Sequence, residues 1–335
     1  MTTHRQLRAW IRLSLCRSVG AKTWNHWLVE LETSGVTIED FFDLPEHQAR
    51  PFLNTWPDVA HALRHHAPSD DFLDGIEARM ERDNIRLIGI GDPHYPARLL
   101  NDLGFDAPTF LYVIGRLTHL RSPTVAMVGT RSPSPLGLES ARAYAGALAG
   151  EGVHIVSGQA RGIDLASHGG ALTGRGSTTL VLPCGIFAFE LAPSLRPLVT
   201  RENTLILSQF PPDARITAQR RDLPVRRNAT IAALADGLIV VESRLVGGPS
   251  HAFREARRLR KPLWTVIYPE PVPPSAAGNH SLLSAGAEPL EPGEAGAQRR
   301  VAGIVHRLHA AHSKRSPSAP WPPSESPSQQ DLFKR

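Results

Sequence analysis

Cysteine is nearly absent: the 335-residue chain carries two, Cys16 and Cys184. That is too few for a disulfide framework or a cysteine-built zinc site, and it points to a reducing compartment, so the expected location is the cytoplasm. Long apolar runs are lacking too. No stretch approaches the ~20 residues that cross a bilayer, and Met1-Thr2-Thr3-His4-Arg5 has none of the apolar core of a secretory leader. Lysine is scarce, for all but four of the 37 basic residues are arginine. Arginine's planar fork suits phosphate, although a GC-rich genome produces the same bias. Hydrophobic residues nevertheless make up 41%, enough to bury sizeable cores, and the length allows more than one domain.

Texture divides the chain. Residues 1–85 read as a small helical domain: Trp10, Leu13, Trp24, Trp27, Leu28 and Leu31 recur at the spacing of a buried helical face. A break at Gly20 separates two helices, as in a helix–hairpin–helix or SAM-like bundle. Residues 86–119 form a connecting segment with a short strand at Ile85–Ile90. Residues 120–290 alternate apolar strands, beginning with Thr124-Val125-Ala126-Met127-Val128-Gly129, with helical stretches. Near-continuous apolar strands joined by helical crossovers predict an α/β fold, a Rossmann-like doubly wound, mostly parallel sheet. Its ligands belong at the carboxyl ends of the strands. Residues 291–335 read as loop with a short helix at Arg299–His312, then a proline- and serine-rich tail with no means of forming a core.

Three constellations carry chemistry. Gly129-Thr130-Arg131-Ser132-Pro133-Ser134 lies between strand and helix, where bare backbone, hydroxyls and a guanidinium suit an anion at a helix start. It is neither Gly-x-Gly-x-x-Gly nor a P-loop, so no dinucleotide or ATP cofactor is indicated. Ser157-Gly158-Gln159-Ala160-Arg161-Gly162-Ile163-Asp164 makes a second such edge. Asp164 there is expected to cap the next helix, and His168 either faces the crevice or packs beside it. Third, Arg220, Arg221, Arg226 and Arg227 read as a basic loop rimming the crevice for a polyanion. Beyond it, Arg254, Arg257, Arg258 and Lys261 share one helical face, either a second track for a nucleic-acid backbone or a solvated surface. No catalytic set emerges, and His306, His309 and His312 lack the carboxylate or thiolate of a metal site.

In this order the motifs resemble those of the DNA-processing protein A (DprA, or Smf) family. That pattern runs Gly-Ser-Arg, Ser-Gly-x-Ala-x-Gly-Ile-Asp-x-x-x-His, Arg-Asn-Arg, Val-Val-Glu and Gly-x-Asn-x-Leu-Ile-x-x-Gly-Ala. The counterparts here are Gly129-Thr130-Arg131, Ser157 to Asp164 with His168, Arg227-Asn228, Val240-Val241-Glu242, and Gly278-Asn279 with Leu282-Leu283 and Gly286-Ala287. Upstream, Tyr95-Pro96, Leu99, Pro108, Leu111-Tyr112 and Gly115 also fit. The chain departs from the pattern at Ala229, with Arg226 upstream as a substitute charge, at Gly247-Gly248-Pro249, and at Ile267-Tyr268-Pro269. The tail offers no room for the family's frequent winged helix, so a divergent member is expected.

The resemblance implies a non-enzymatic homodimer that binds single-stranded DNA and delivers RecA recombinase onto it, as in natural transformation. Phosphates would sit on Gly129, Thr130, Arg131, Ser157 and Gly158, with Arg161, Arg226, Arg227 and Asn228 along the rim. An alternative stays open: a nucleotide-binding or phosphoribohydrolase-like enzyme or sensor, with Glu242 acting on a ribose, although Pro-Gly-Gly-x-Gly-Thr is absent. A structural partner that has lost DNA binding is a third reading. Finally, Gln329-Gln330-Asp331-Leu332-Phe333 resembles the bacterial pentapeptide that binds the replication sliding clamp. Leu332 and Phe333 would fill an apolar pocket, Gln329 would meet a polar spot, and Asp331 supplies the acidic residue before the pair.

Overall fold

The computed structural model describes residues 3–16, 18–65, 68–220, 222–245, 247–314 and 321. Among the described residues two compact units emerge, one up to Leu111 together with Trp321, the other from Tyr112 to Lys314.

The first unit opens with six helices, α1 (His4–Leu15), α2 (Ala21–Thr33), α3 (Ile38–Asp43), α4 (Glu46–Asn54), α5 (Pro57–His65) and α6 (Asp70–Asp83). Thr3 begins α1 by accepting the Gln6 amide, and Gly20 caps α2 in extended backbone, so the chain breaks at the expected glycine. Trp24 and Trp27 are buried and meet edge to face, their centroids 5.5 Å apart, the arrangement aromatic quadrupoles favour. After α6 come β1 (Arg86–Gly89) and α7 (Ala97–Leu103), and the chain then enters β2 (Phe110–Ile114), whose residues from Tyr112 onward belong to the second unit.

The second unit alternates strand and helix. Its elements are β3 (Thr124–Val128), α8 (Pro135–Gly150), β4 (His154–Ser157), α9 (Ile163–Thr173), β5 (Thr178–Val181) and β6 (Thr204–Ser208). Then follow α10 (Leu223–Leu234), β7 (Gly237–Val240), α11 (Gly248–Arg258), β8 (Leu263–Val266), α12 (Asn279–Ser284), β9 (Glu288–Leu290) and α13 (Gly293–Ser313). Their strands stand in the order β2-β6-β5-β4-β3-β7-β8-β9. β2 runs antiparallel to β6, and the pairings from β6 through to β9 are parallel. Every residue of β3 to β8 is buried. Helices α8, α9 and α13 pack together, and α10 packs with α11; covering both faces is why these strands are apolar throughout instead of alternating. The mostly parallel doubly wound fold is as expected.

Two local readings need correction. Residues 293–313, of which only 299–312 are expected to be helical, form one helix of 21 residues. Its glycine-containing start is held from outside: the Gly293 amide donates to Ser140 Oγ at 2.8 Å, and the Tyr144 hydroxyl to the Glu291 carbonyl at 2.8 Å. Ala297, Ile304 and Leu308 then join the core beside Tyr144 and Trp264. Second, Arg226, Arg227 and Asn228 lie in α10, begun by Leu223-Pro224, where proline's fixed φ favours the first turn. They do not lie in a loop.

No described helix is long and apolar enough to cross a membrane. Among the described residues no cluster of His, Cys, Asp and Glu could hold a metal ion, and His312 instead meets the buried Asp236 at 3.1 Å. Arg221 and the tail residues Gln329, Asp331, Leu332 and Phe333 fall outside the described residues.

Candidate functional site

From β3 the chain proceeds outward through β4, β5 and β6, then returns to lay β7 on the other side of β3. Crossovers therefore diverge at β3 and β7, and a crevice opens past their carboxyl ends. It holds a cleft of about 300 Å³. Gly129, Thr130, Arg131 and Ser132 line it from the loop after β3, Arg227, Asn228 and Ile231 from α10, Arg244 from the loop after β7, and Gly248 and Pro249 from the start of α11.

The loop after β3 is held by a buried carboxylate. Glu242 is 0% exposed and accepts both the Ser134 amide, at 3.0 Å, and the Ser134 hydroxyl. Ser134 Oγ in turn accepts the Gly137 amide at 3.0 Å, capping α8. The Glu242 carbonyl takes the Thr130 amide at 2.8 Å. Behind it, Asn279 accepts the Ser243 amide and donates to the Val241 and Val266 carbonyls, all at 2.7 Å. Glu242 and Asn279 thus shape the ends of β7 and β8. Glu242 is sealed away from any sugar in the cleft.

Beneath the cleft lies a second buried charge system. Arg227 is 6% and Asp164 5% exposed. Any side chain at Gly158 would collide with both the Arg227 guanidinium and the Asp164 carboxylate, so only glycine lets these charges approach across the backbone. Burial pushes the Asp164 carboxyl up, opposed by the positive charge of Arg227 and the Ala160 amide that donates at 3.1 Å. Burial likewise lowers the Arg227 guanidinium, which donates to the Val181 carbonyl at 2.9 Å. His168, 0% exposed, packs behind Gly158. Its Nε2 lies 2.7 Å from the Gly158 carbonyl and its Nδ1 2.6 Å from Thr178 Oγ1. A neutral ring donates from Nε2 to the Gly158 carbonyl, while the one Thr178 hydroxyl proton is shared between His168 Nδ1 and the Ile155 carbonyl, 2.9 Å away. Burial, with the nearby Arg227 charge, lowers its pKa to about 4.

Several expected site residues are therefore brought together and others are spent internally. Gly129, Thr130, Arg131, Arg227 and Asn228 reach the cleft. Ser157 is fully buried, its hydroxyl donating to the Met127 carbonyl at 2.6 Å. The Asn228 amide donates to the Gly248 carbonyl at 3.2 Å, tying α10 to the start of α11. Arg227 forms floor, not rim. Arg161 is exposed; Arg226, also exposed, lies 5.7 Å over the Phe210 ring and 3.7 Å from Asp222. Ala229 stands one turn after Arg226 on the same helical face. Asp164 lies inside the first turn of α9, whose cap is Gly162; it bonds back to Ala160 and does not cap the helix. On α11, Arg254 contacts His251 and Arg258 pairs with Glu255, while Lys261 lies beyond the helix end.

Arg244 was missed. It is exposed at the cleft mouth, following β7, the strand paired to β3. The rule that ligands sit past strand carboxyl ends would have drawn attention to it. Two guanidiniums, Arg131 and Arg244, thus stand exposed at a cleft whose lining carboxylate, Asp164, is buried against Arg227.

A family model described as DNA recombination-mediator protein A matches residues 86–298. Among curated proteins, "Protein Smf" of Escherichia coli is 34% identical over 215 residues, 62% of this chain and 54% of that protein. The "Putative DNA processing protein DprA" of Mycobacterium tuberculosis is 36% identical over 233 residues, 65% of this chain and 58% of that protein. The chain thus spans little more than half the length of these relatives. The X-ray structure of DNA processing protein A from Streptococcus pneumoniae shares the fold, with TM-score 0.70, 24% identity, and coverage of 90% of this chain and 97% of that one. The Helicobacter pylori protein, whose structure is described as giving insight into its single-stranded DNA binding mode, aligns with TM-score 0.54 at 25% identity, over 66% of this chain and 96% of that one.

Proposed function

Because the chain belongs to the DNA recombination-mediator protein A family, we propose that it is a non-enzymatic recombination mediator that binds single-stranded DNA across the β3–β7 crevice. The observation that carries this reading is the pair of exposed guanidiniums, Arg131 and Arg244, at a cleft roofed by glycine-containing backbone. Guanidiniums and loop backbone grip phosphate without reading base identity. The internal engagement of Glu242 weighs against the ribose-cleaving alternative, which needs a carboxylate open to the sugar. Within this reading the chain acts as a cytoplasmic homodimer and hands the strand to a RecA-type recombinase, and natural transformation is the proposed setting.

Titrating labelled single- and double-stranded oligonucleotides at two salt concentrations tests the proposal. Single strands are expected to bind more tightly, with affinity falling steeply as salt rises. Arg131→Ala should weaken binding with the fold intact, because the side chain is exposed. Each lost phosphate contact should flatten the log–log salt slope by roughly 0.7. Salt-independent binding, or tight binding of a mononucleotide alone, would replace this reading with a nucleotide sensor.

A second partner is proposed on sequence chemistry alone: residues 329–333 as a peptide ligand of the replication sliding clamp. A peptide of residues 324–335 should bind purified clamp, and alanine at Leu332 and Phe333 should abolish it. Absence of binding at high micromolar clamp refutes the assignment.

A further inference from the structure

The first unit contains a cleft of about 1250 Å³ between α1, α2, α6 and the segment that follows β1. The described tail residue Trp321 lines it. Three contacts define the indole's seat. A Cβ placed on Gly91 would stand 2.9 Å from Trp321 Cδ1, so the ring takes the space a side chain there would occupy. Gly91 has φ +91°, a conformation that favours glycine in any case. The Phe105 ring meets the indole at 6.1 Å between centroids and 60° between planes, an edge-to-face pairing. The indole N–H donates to the Glu32 carboxylate.

Together these contacts select tryptophan. Leucine or phenylalanine could fill the gap over Gly91, but neither supplies a donor for Glu32; indole N–H is donor only and needs such an acceptor. The flanking chain suits the seat as well. Pro320, Pro322 and Pro323 surround Trp321 in the sequence, and proline's fixed φ narrows the conformations given up on docking.

We propose that the cleft beside Gly91 is a recognition site for a proline-flanked tryptophan, and that its occupant is the chain's own Trp321. The proposal is independent of the DNA-binding reading and rests on different residues.

The full chain labelled with 5-fluorotryptophan provides the test, since it contains six tryptophans and Trp321→Phe identifies the line of the sixth. In the intact chain that fluorine line is expected to be displaced from its position in an isolated peptide of residues 316–324. Glu32→Ala should move it toward the peptide position, and an excess of the unlabelled peptide should move it the same way. The lines of Trp24, Trp27, Trp56 and Trp264, staying in place, report that the fold is kept, whereas Trp10 lines the same cleft. A Trp321 line already at the peptide position, or one unmoved by Glu32→Ala, overturns the proposal.

Discussion

Arg227→Met is expected to destabilise the second unit by about 3–5 kcal/mol at neutral pH, the usual consequence of leaving one member of a buried charge pair alone. The substitution keeps much of the side-chain volume but strips Asp164 of the positive charge that opposes its burial. The pH dependence gives a second signature. Asp164 is already raised by burial, and without Arg227 it rises further. A carboxyl whose folded pKa exceeds its unfolded value of about 3.9 binds its proton more tightly in the folded chain. The penalty is therefore complete above the raised pKa and shrinks as pH falls toward about 4. Urea denaturation at pH 7 and pH 5 should show the gap between variant and wild type narrowing in acid. Adding Asp164→Asn should recover part of the loss, because the amide carbonyl can still accept the Ala160 N–H. Equal stability of variant and wild type at pH 7 would refute the floor assigned to this pair.

The wild-type protein should lose about 3 kcal/mol through His168 alone as pH drops from about 6.5 to about 4. The sign follows from burial, which lowers the folded pKa to about 4, below the ordinary ~6.5 of an unfolded histidine. The neutral ring is what the fold accepts, so its stabilisation is complete above the unfolded value. It is lost progressively as the unfolded chain takes up the proton. His168→Asn removes that titration: whatever the variant's stability at pH 7, its stability-versus-pH curve between those limits should lack one proton's slope. Parallel curves would mean that His168 does not sit neutral between the Gly158 carbonyl and Thr178.

How much of this was legible follows from where each signal resides. Apolar runs such as Val125–Val128 and Leu205–Leu207 announced a parallel sheet, because strands buried on both faces must be apolar throughout. The first turns of helix α13 were obscured by Gly293 and Gly296, poor helix formers by themselves. Packing on α8 and the bond from Gly293 to Ser140 override that propensity, and both partners lie about 150 positions away in the chain.

The sequence alone determined the strand–helix alternation, the two glycine-bearing turns that converge on one crevice, and the arginines near it other than Arg244. Those are local properties, set by hydrophobic periodicity and backbone freedom. Which arginine does what was decided only by the tertiary structure. Arg226 and Arg227 are neighbours of identical chemistry, yet one is exposed and the other lies under the cleft against Val181 and Asp164. The roles of Glu242 as a loop anchor and of Ser157 as a strand-to-strand tie were settled there too. A side chain's partners depend on how α10 and β7 are set against β3, and that placement is a long-range property no single segment encodes.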